Sequence, residues 1–392
     1  MREIIAESKR PPKFSGLKFS GLCRTSKLRY NSNRELRIVL RNLLTMTSRE
    51  RVSEAFEHRQ PDRVPAWCGA SPEFWEKAKR ASGLDDEGLR VRLGDDFRRV
   101  YAVYAGPEFS LSSGATSRTI FGIEREGLGY GQPMCHPLAK ATIEEVHAYP
   151  WPDPCWMDVS LIRQEAEKYH REYAILGGDW SPFFHDAVDL LGMDVLFLKM
   201  YDEPELVDAV LQHLVDFYAG VSQRIFAAAA SALDIFFIGN DFGTQRGPVM
   251  SPALFRRFML PHLRRLCALG HAHGLRMMMH CCGGFAPLIP LMIEAGLDGL
   301  HAVQPSCDGM DLATLKSAFG DKILFNGAID SHHVLIRGTP EFVRQETRKV
   351  LDIMKTGGGY VAGASHDYIL EETPVENVFA MFDAIREFGS YY

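Results

Sequence analysis

The stretch "LRMMMHCCG", residues 275 to 283, runs through three methionines before it meets a histidine and two adjacent cysteines. An amphipathic helix or a half-exposed strand would interleave polar positions. A short run that is apolar on both faces reads instead as a strand buried on both sides, the pattern of a parallel sheet. Five more runs share it: "YAILGGDW" (173–180), "LDIFFIGND" (233–241), "LDGLHAVQP" (297–305), "DKILFNGAI" (321–329) and "GGYVAGASH" (358–366). Helical stretches of roughly ten to twenty residues separate them. Such alternation leaves two architectures, an open doubly wound sheet or a closed barrel. A doubly wound sheet begins with a glycine-rich phosphate turn, and no G-x-G-x-x-G follows an early strand here. With an earlier strand at "RVPAWCGA" (63–70), the reading is an α/β (β/α)8 TIM barrel.

The helices carry start signals. Ser251-Pro252, Thr339-Pro340 and Thr373-Pro374 each set a capping hydroxyl before a proline suited to the first turn, and Glu376 would complete a capping box with Thr373. Within 251–269, Phe255, Phe258, Met259, Leu263, Leu266 and Leu269 recur at helical spacing and should pack on the sheet. Residues 98–157 break the rhythm. "VYAVYAGPEF" and "SRTIFGIEREGLGYGQPM" look like hairpin material and "YPWPDP" (149–154) like a rigid connector, so this region is expected as an insertion covering the barrel mouth. Gly357-Gly358-Gly359 is expected as a helix end and tight turn, and His332-His333 as a solvent-facing loop.

Charge is divided unevenly. Residues 1–45 hold eleven Lys and Arg against three Glu, so the body carries the whole of the negative balance behind the net −6. An acidic body does not invite nucleic acid or anionic membrane. The basic stretch 1–45 reads as a disordered extension, or as sequence upstream of a start at Met46; a transit peptide or a surface-binding arm has the same composition. The single folded domain is expected over 47–390. No apolar run approaches the ~20 residues of a membrane span. Eight cysteines without framework spacing point to a reduced, cytoplasmic compartment.

Chemistry in such a barrel sits where the strands end. Asp241, His280 with Cys282, Gln304, Asn326 and His366 place polar side chains at successive strand ends. In extended chain His280 and Cys282 share a face while Cys281 points away. Imidazole and thiolate are zinc-type donors, and a third must come from another strand. His366 is the first candidate for it, with Cys307, Asp241 and Asp367 as others. Trp180, Phe183 and Phe184, the aromatics of "GDWSPFF" (178–184), could line a pocket for a flat or methylated substrate, or could be core. Read as packing, His280 is a hydrogen-bonded barrel histidine and the cysteines fill the core.

Several separated motifs resemble the uroporphyrinogen decarboxylase superfamily: "TSRERVSEAFEHRQPDRVP" (47–65), "YPWPDP", "NDFGTQRGPVMSPALFRRFMLP" (240–261), "HCCGGFAPLIPLMIEAGLDGLHAVQP" (280–305), "FNGAID" (325–330) and "GGGYVAGASHDYILEETPVENV" (357–378). The likeness runs from about residue 47 to the C-terminus and implies the same barrel. True decarboxylases of that superfamily carry an early "RQAGR"-type segment, where this chain has "CGASPEFWEKAKR" (68–80). The resemblance is closer to its zinc-dependent methyltransferases, which have H-x-C on one strand and a third ligand, usually Cys, ending the last. His280 and Cys282 match that pair, and His366 stands in the third place. The resemblance therefore implies Zn2+ held by His280, Cys282 and His366, and methyl exchange between a small O-, N- or S-methylated substrate and a corrinoid protein partner. Asp241 and His366 would be catalytic, with Trp180, Phe184, Asp241, Gln245, Gln304 and Asn326 around the substrate. A metal-free lyase acting on a tetrapyrrole or related carboxylate, and a non-catalytic ligand-binding barrel, are the alternatives. The chain could assemble as a homodimer.

Overall fold

The computed structural model describes residues 46–127 and 131–391, and the basic stretch 1–45 lies outside the described residues. Seven strands form one sheet in chain order: β1 (Phe97–Arg99), β2 (Ala174–Gly177), β3 (Ile235–Gly239), β4 (Arg276–His280), β5 (Gly299–Val303), β6 (Leu324–Ile329) and β7 (Tyr360–Ala364). Every neighbouring pair is parallel. Strands β2 to β7 coincide with the six apolar runs and are buried along almost their whole length. The result is a curled, TIM-barrel-like α/β fold.

The segment expected as a first strand behaves differently. It makes only isolated parallel bridges, Ala66 to Ala362 and Ala70 to Ile369. Pro65 cannot donate to a ladder, which limits the pairing. Its carbonyl still accepts from Ala362 N at 2.8 Å, Trp67 N donates to Ala362 O at 2.9 Å, and Asp96 N donates to Ala66 O at 2.9 Å. The segment therefore spans the gap between β7 and the residue that opens β1.

One buried carboxylate holds this junction. Asp96 is fully buried. It accepts from Ser48 Oγ at 2.6 Å, Arg51 Nη1 at 2.7 Å, Arg63 Nη1 and Nη2 at 2.8 and 2.9 Å, and Ala66 N at 2.7 Å. These donors come from helix α1 (Ser48–Phe56) and from the bridging segment. Helix α1 begins at the Thr47 capping box and sends Val52 and Phe56 into the inner core. There they join Trp67, Phe97, Leu176, Phe237, Met278, Leu324 and Val361. Each such side chain contributes about 1.5–3 kcal/mol by leaving water.

Residues 97–99 belong to the main sheet, so the region that departs from the β/α rhythm starts after it and not at 98. "DDFRRV" was too charged to read as a strand; its polar groups are buried through mutual pairing, as Asp95 with Arg90 and Asp96 with Arg51 and Arg63. Beyond it, Val103–Tyr104 pairs antiparallel with Met157–Asp158, and Ser117–Arg118, Glu124–Glu126 and Gln132–Pro133 form a small antiparallel sheet. Arg125 ties that sheet to Asp189 on helix α2 (Phe183–Leu191). A cavity of about 580 Å³ separates Tyr104, Phe109 and Ile120 from Asp179 and Pro182, which follow β2.

Two of the three expected caps form: Ser251 Oγ accepts from Leu254 N and Thr339 Oγ1 from Phe342 N. The third does not. The last helix, α3 (Val375–Phe388), starts after Pro374 without a side-chain cap, and Thr373 is buried. The 251–269 helix is interrupted by a π turn at Phe255–Met259, just before Pro261, whose missing N–H breaks the regular ladder. Phe255, Phe258, Met259, Leu263 and Leu266 are buried as expected. His332 and His333 are exposed but lie in a π-helical turn, not a loop. No helix of the described residues is long and apolar enough to cross a membrane. The seven described cysteines are all free thiols.

Replacing Asp96 with Ala would leave Arg63 without its carboxylate and the buried Arg51 with Asp62 alone, and would strand the Ala66 amide. We expect a loss of about 3–5 kcal/mol of stability, read from the shift of the urea denaturation midpoint. A loss under about 1 kcal/mol would show that Asp96 does not hold the junction.

Candidate active site

The C-terminal end of β4 delivers the H-x-C pair onto one side of the chain. His280 Nε2 lies 2.9 Å from Cys282 Sγ. Cys281 points the other way, fully buried, with its sulfur accepting from Phe242 N. Asp241, two residues past β3, joins the pair: its Oδ1 is 3.3 Å from His280 Nε2 and accepts from Cys282 N at 2.8 Å. The two loops meet backbone to backbone. A Cβ on Gly243 would come 2.4 Å from the Cys282 carbonyl oxygen, and Gly283 has φ +86°. Neither place admits a side chain, and glycine there lets Asp241 reach across.

The donor atoms of Asp241, His280 and Cys282 all lie within 4.8 Å of one another. An imidazole nitrogen, a thiol sulfur and a carboxylate oxygen so placed are a set that fits zinc, with bonds of about 2.0–2.3 Å and one position left open. Asp241 is the best-placed carboxylate of the group. Burial works against its charge, but hydrogen bonds to His185 and His280 win and hold its carboxyl far below the usual range. His185 Nε2 approaches the other oxygen at 3.3 Å.

His280 has an outer partner that the sequence reading passed over. Its Nδ1 meets His301 Nδ1 at 3.0 Å. Burial first, then the nearby His280, His366 and Arg99, keep His301 well below the usual imidazole range, hence neutral. A neutral His301 that accepts on Nδ1 carries its proton on Nε2, and that atom has no partner. His280 then donates from Nδ1; burial opposes its charge, but the hydrogen bond from Nε2 to Asp241 and the charges of Asp367 and Asp241 raise its imidazole, and a bound cation would take the place of the Nε2 proton. His301, with Asp367 3.9 Å away, forms a second group around His280. The period of two along "LDGLHAVQP" put residues 299, 301 and 303 on one face, which was the available signal.

The other expected residues divide. His366 ends near the group, its ring 6.4 Å from that of His280, but its Nδ1 faces the backbone of Tyr368 and it is not among the converging donors. Asp241 is the carboxylate whose oxygen converges with them. Gln304 Oε1 accepts from Gly283 N at 2.6 Å and so braces the turn after Cys282; Cys307 Sγ points at the same oxygen at 3.6 Å. Trp180 lies against His280, centroids 5.7 Å apart. Asn326 is not at a strand end. It sits inside β6, fully buried, with both amide atoms unpartnered. Phe184 belongs to the outer core against Phe242, 5.3 Å away, and Gln245 is exposed on a hairpin. Neither is brought to the donors.

A cavity of about 520 Å³ opens beside the site, walled by Trp67, Gly69, Arg99, Asp367 and Tyr368 among others. Trp67 and Asp367 both flank His301. Arg99 ends β1 and was missed because its strand was read as insertion.

A parallel, barrel-like sheet with metal-type donors at its strand ends defines a barrel enzyme site. The model of the uroporphyrinogen decarboxylase (URO-D) family matches residues 128–388, and the chain belongs to that family. The uroporphyrinogen decarboxylase of Alkalilimnicola ehrlichii is 23% identical over 378 residues, covering 89% of this chain and 96% of that protein. The methylcobamide:CoM methyltransferase MtbA of Methanosarcina mazei is 22% identical over 375 residues, covering 87% and 98%. A solved methyltransferase from Methanosarcina mazei superposes with TM-score 0.64 at 19% identity, covering 88% of this chain and 99% of that one, which shows a shared fold. Both activities thus occur among relatives of similar identity.

Asp241→Ala should weaken zinc binding by more than the roughly 10- to 100-fold that losing an outer partner of a ligand costs, and His301→Phe should fall within that range. Competition with a chelator of known affinity measures both. Zinc binding unchanged in Asp241→Ala, but lost in His366→Ala, would return the third place to His366.

Proposed function

We propose that the chain is a zinc-dependent methyltransferase that moves a methyl group from a small O-, N- or S-methylated substrate to a corrinoid carried by a partner protein, and that it works in the cytoplasm. The observation that carries this reading is the convergence of His280, Cys282 and Asp241 beside a cavity. In this reading residues 47–390 are one catalytic domain, the segment 63–70 is the eighth stave of a (β/α)8 barrel, and the region after β1 covers its mouth. A bound Zn2+ supplies Lewis acidity that makes the methyl-bearing heteroatom a better leaving group.

The chain's own residues supply the rest. His280, fixed by His301, and Cys282, fixed by the Asp241 acceptance of its amide hydrogen, hold their donor atoms before substrate arrives, so no reorganisation is needed during reaction. Trp180 walls the site beside His280 and limits water. As the methyl group leaves, its bonding electron pair would stay on the heteroatom, which takes a proton from solvent, and the partner's reduced corrinoid would supply the pair for the new bond to carbon. The methyl transferase names among the relatives support the same reading.

A decarboxylase-like lyase is less well supported. A substrate with several carboxylates needs several free cations. Of the cations lining the cavity, Arg90 is paired with Asp95 and Arg98 with Glu87, which leaves Arg99 and Lys168, the latter lying over the Tyr169 ring.

The test is demethylation of a panel of methylated compounds with reduced corrinoid as acceptor, followed by the absorbance of the methylated corrinoid. His280→Ala should lower the rate at least about 100-fold, since several kcal/mol of charge stabilisation go with the metal. Release of carbon dioxide from uroporphyrinogen by the wild-type chain, with no methyl transfer, would overturn the reading.

A further inference from the structure

The methyl-transfer reading leaves the non-reacting end of the substrate unspecified, and Arg99 bears on it. Arg99 stands at the C-terminal end of β1 and lines the cavity that Asp367 shares with the His280–His301 pair. Its guanidinium carbon lies 4.7 Å from the centre of the Tyr101 ring, 4.9 Å from Phe237 and 5.0 Å from Trp180. Three aromatic rings hold it in place, and rings do not neutralise it. Among the described residues no carboxylate lies within ion-pair reach of Arg99, whereas Arg90 and Arg98 on the same cavity each have one. Asp179 feels its charge only from a distance.

We propose that Arg99 is the anion seat of the site and that the methylated substrate is a small carboxylic acid; this rests on the methyl-transfer reading above. A half-buried guanidinium stacked among rings is preorganised for a bidentate carboxylate, because its planar fork is already oriented and partly stripped of water. Trp180 touches both Arg99 and His280, so it is the wall common to the seat and to the donor group. A substrate lying along it places its carboxylate at Arg99 and its methylated heteroatom toward Cys282. The rest of the cavity is mixed in charge: Glu87 and Asp95 on its walls are already paired with Arg98 and Arg90, while Asp85, Asp86, Asp367 and Lys168 also line it.

The experiment is calorimetric titration of the full chain with 4-methoxybenzoate, 3-(methylthio)propionate and N-methylglycine, each beside its uncharged amide. Wild type, Arg99→Gln and Arg99→Lys are compared after their melting curves are recorded. At least one acid should bind about ten-fold or more tighter than its amide. Arg99→Gln should erase that preference and Arg99→Lys restore part of it. The inference is overturned if no acid binds the wild type, if acid and amide bind alike, or if Arg99→Gln keeps the preference while melting like wild type. Should Arg99→Gln not fold, the acid-to-amide ratio of the wild type and of Arg99→Lys decides. Zinc content is measured in the same samples. Zinc present without acid preference sinks this inference alone, and acid preference without zinc or methyl transfer sinks the reading beneath it.

Discussion

Everything at the candidate site depends on a ring being held shut by one buried carboxylate. The sheet runs in chain order from β1 to β7, and among the described residues the segment 66–70 makes backbone bridges to β7 and to Ile369 while Ala66 O accepts from Asp96 N, beside β1. Asp96 binds that segment, helix α1 and the start of β1 at once. A buried charge is tolerable only when fully paired and hydrogen-bonded, and Asp96 has five donors about it. Removing it would loosen the side of the ring that carries both Trp67 and Arg99.

The site's electrostatics follow from depth. His301 is deep enough that burial keeps it neutral, which fixes the proton on His280 and turns His280 Nε2 toward the thiol. Asp241 is shallower and sits between His185 and His280, so it stays ionised. A neutral His301 behind His280, and a carboxylate beside a thiol above, is an arrangement suited to a divalent cation. The unpartnered amide of Asn326 and the unpartnered Trp67 and His301 nitrogens lie in the same buried region. Each costs stability, and functional sites are where such costs are tolerated.

The six apolar runs made the sheet legible, because strands buried on both faces need no polar alternation. The H-x-C pair was legible for the complementary reason, that alternate residues share a face. Three features were not. β1 is rich in Asp and Arg, and only the three-dimensional pairing of those charges makes it a buried strand. His301 and Arg99 lie where a period of two would place them, but nothing local says which residue they meet. The approach of Asp241 to His280 and Cys282 was hidden because the loops after β3 and β4 meet through Gly243 and Gly283, a contact between residues forty positions apart that spacing along the chain does not encode. Phe184 follows Trp180 closely enough to share its chemistry, yet helix α2 turns it to the outer core.

The central claim is the metal and its donors, and X-ray absorption at the zinc edge of the purified full chain tests it most directly. The account predicts a single sulfur neighbour near 2.3 Å with nitrogen and oxygen neighbours near 2.0–2.2 Å, and loss of the sulfur shell in Cys282→Ser. A chain without zinc after reconstitution, or a site with two or more sulfur neighbours, would contradict it.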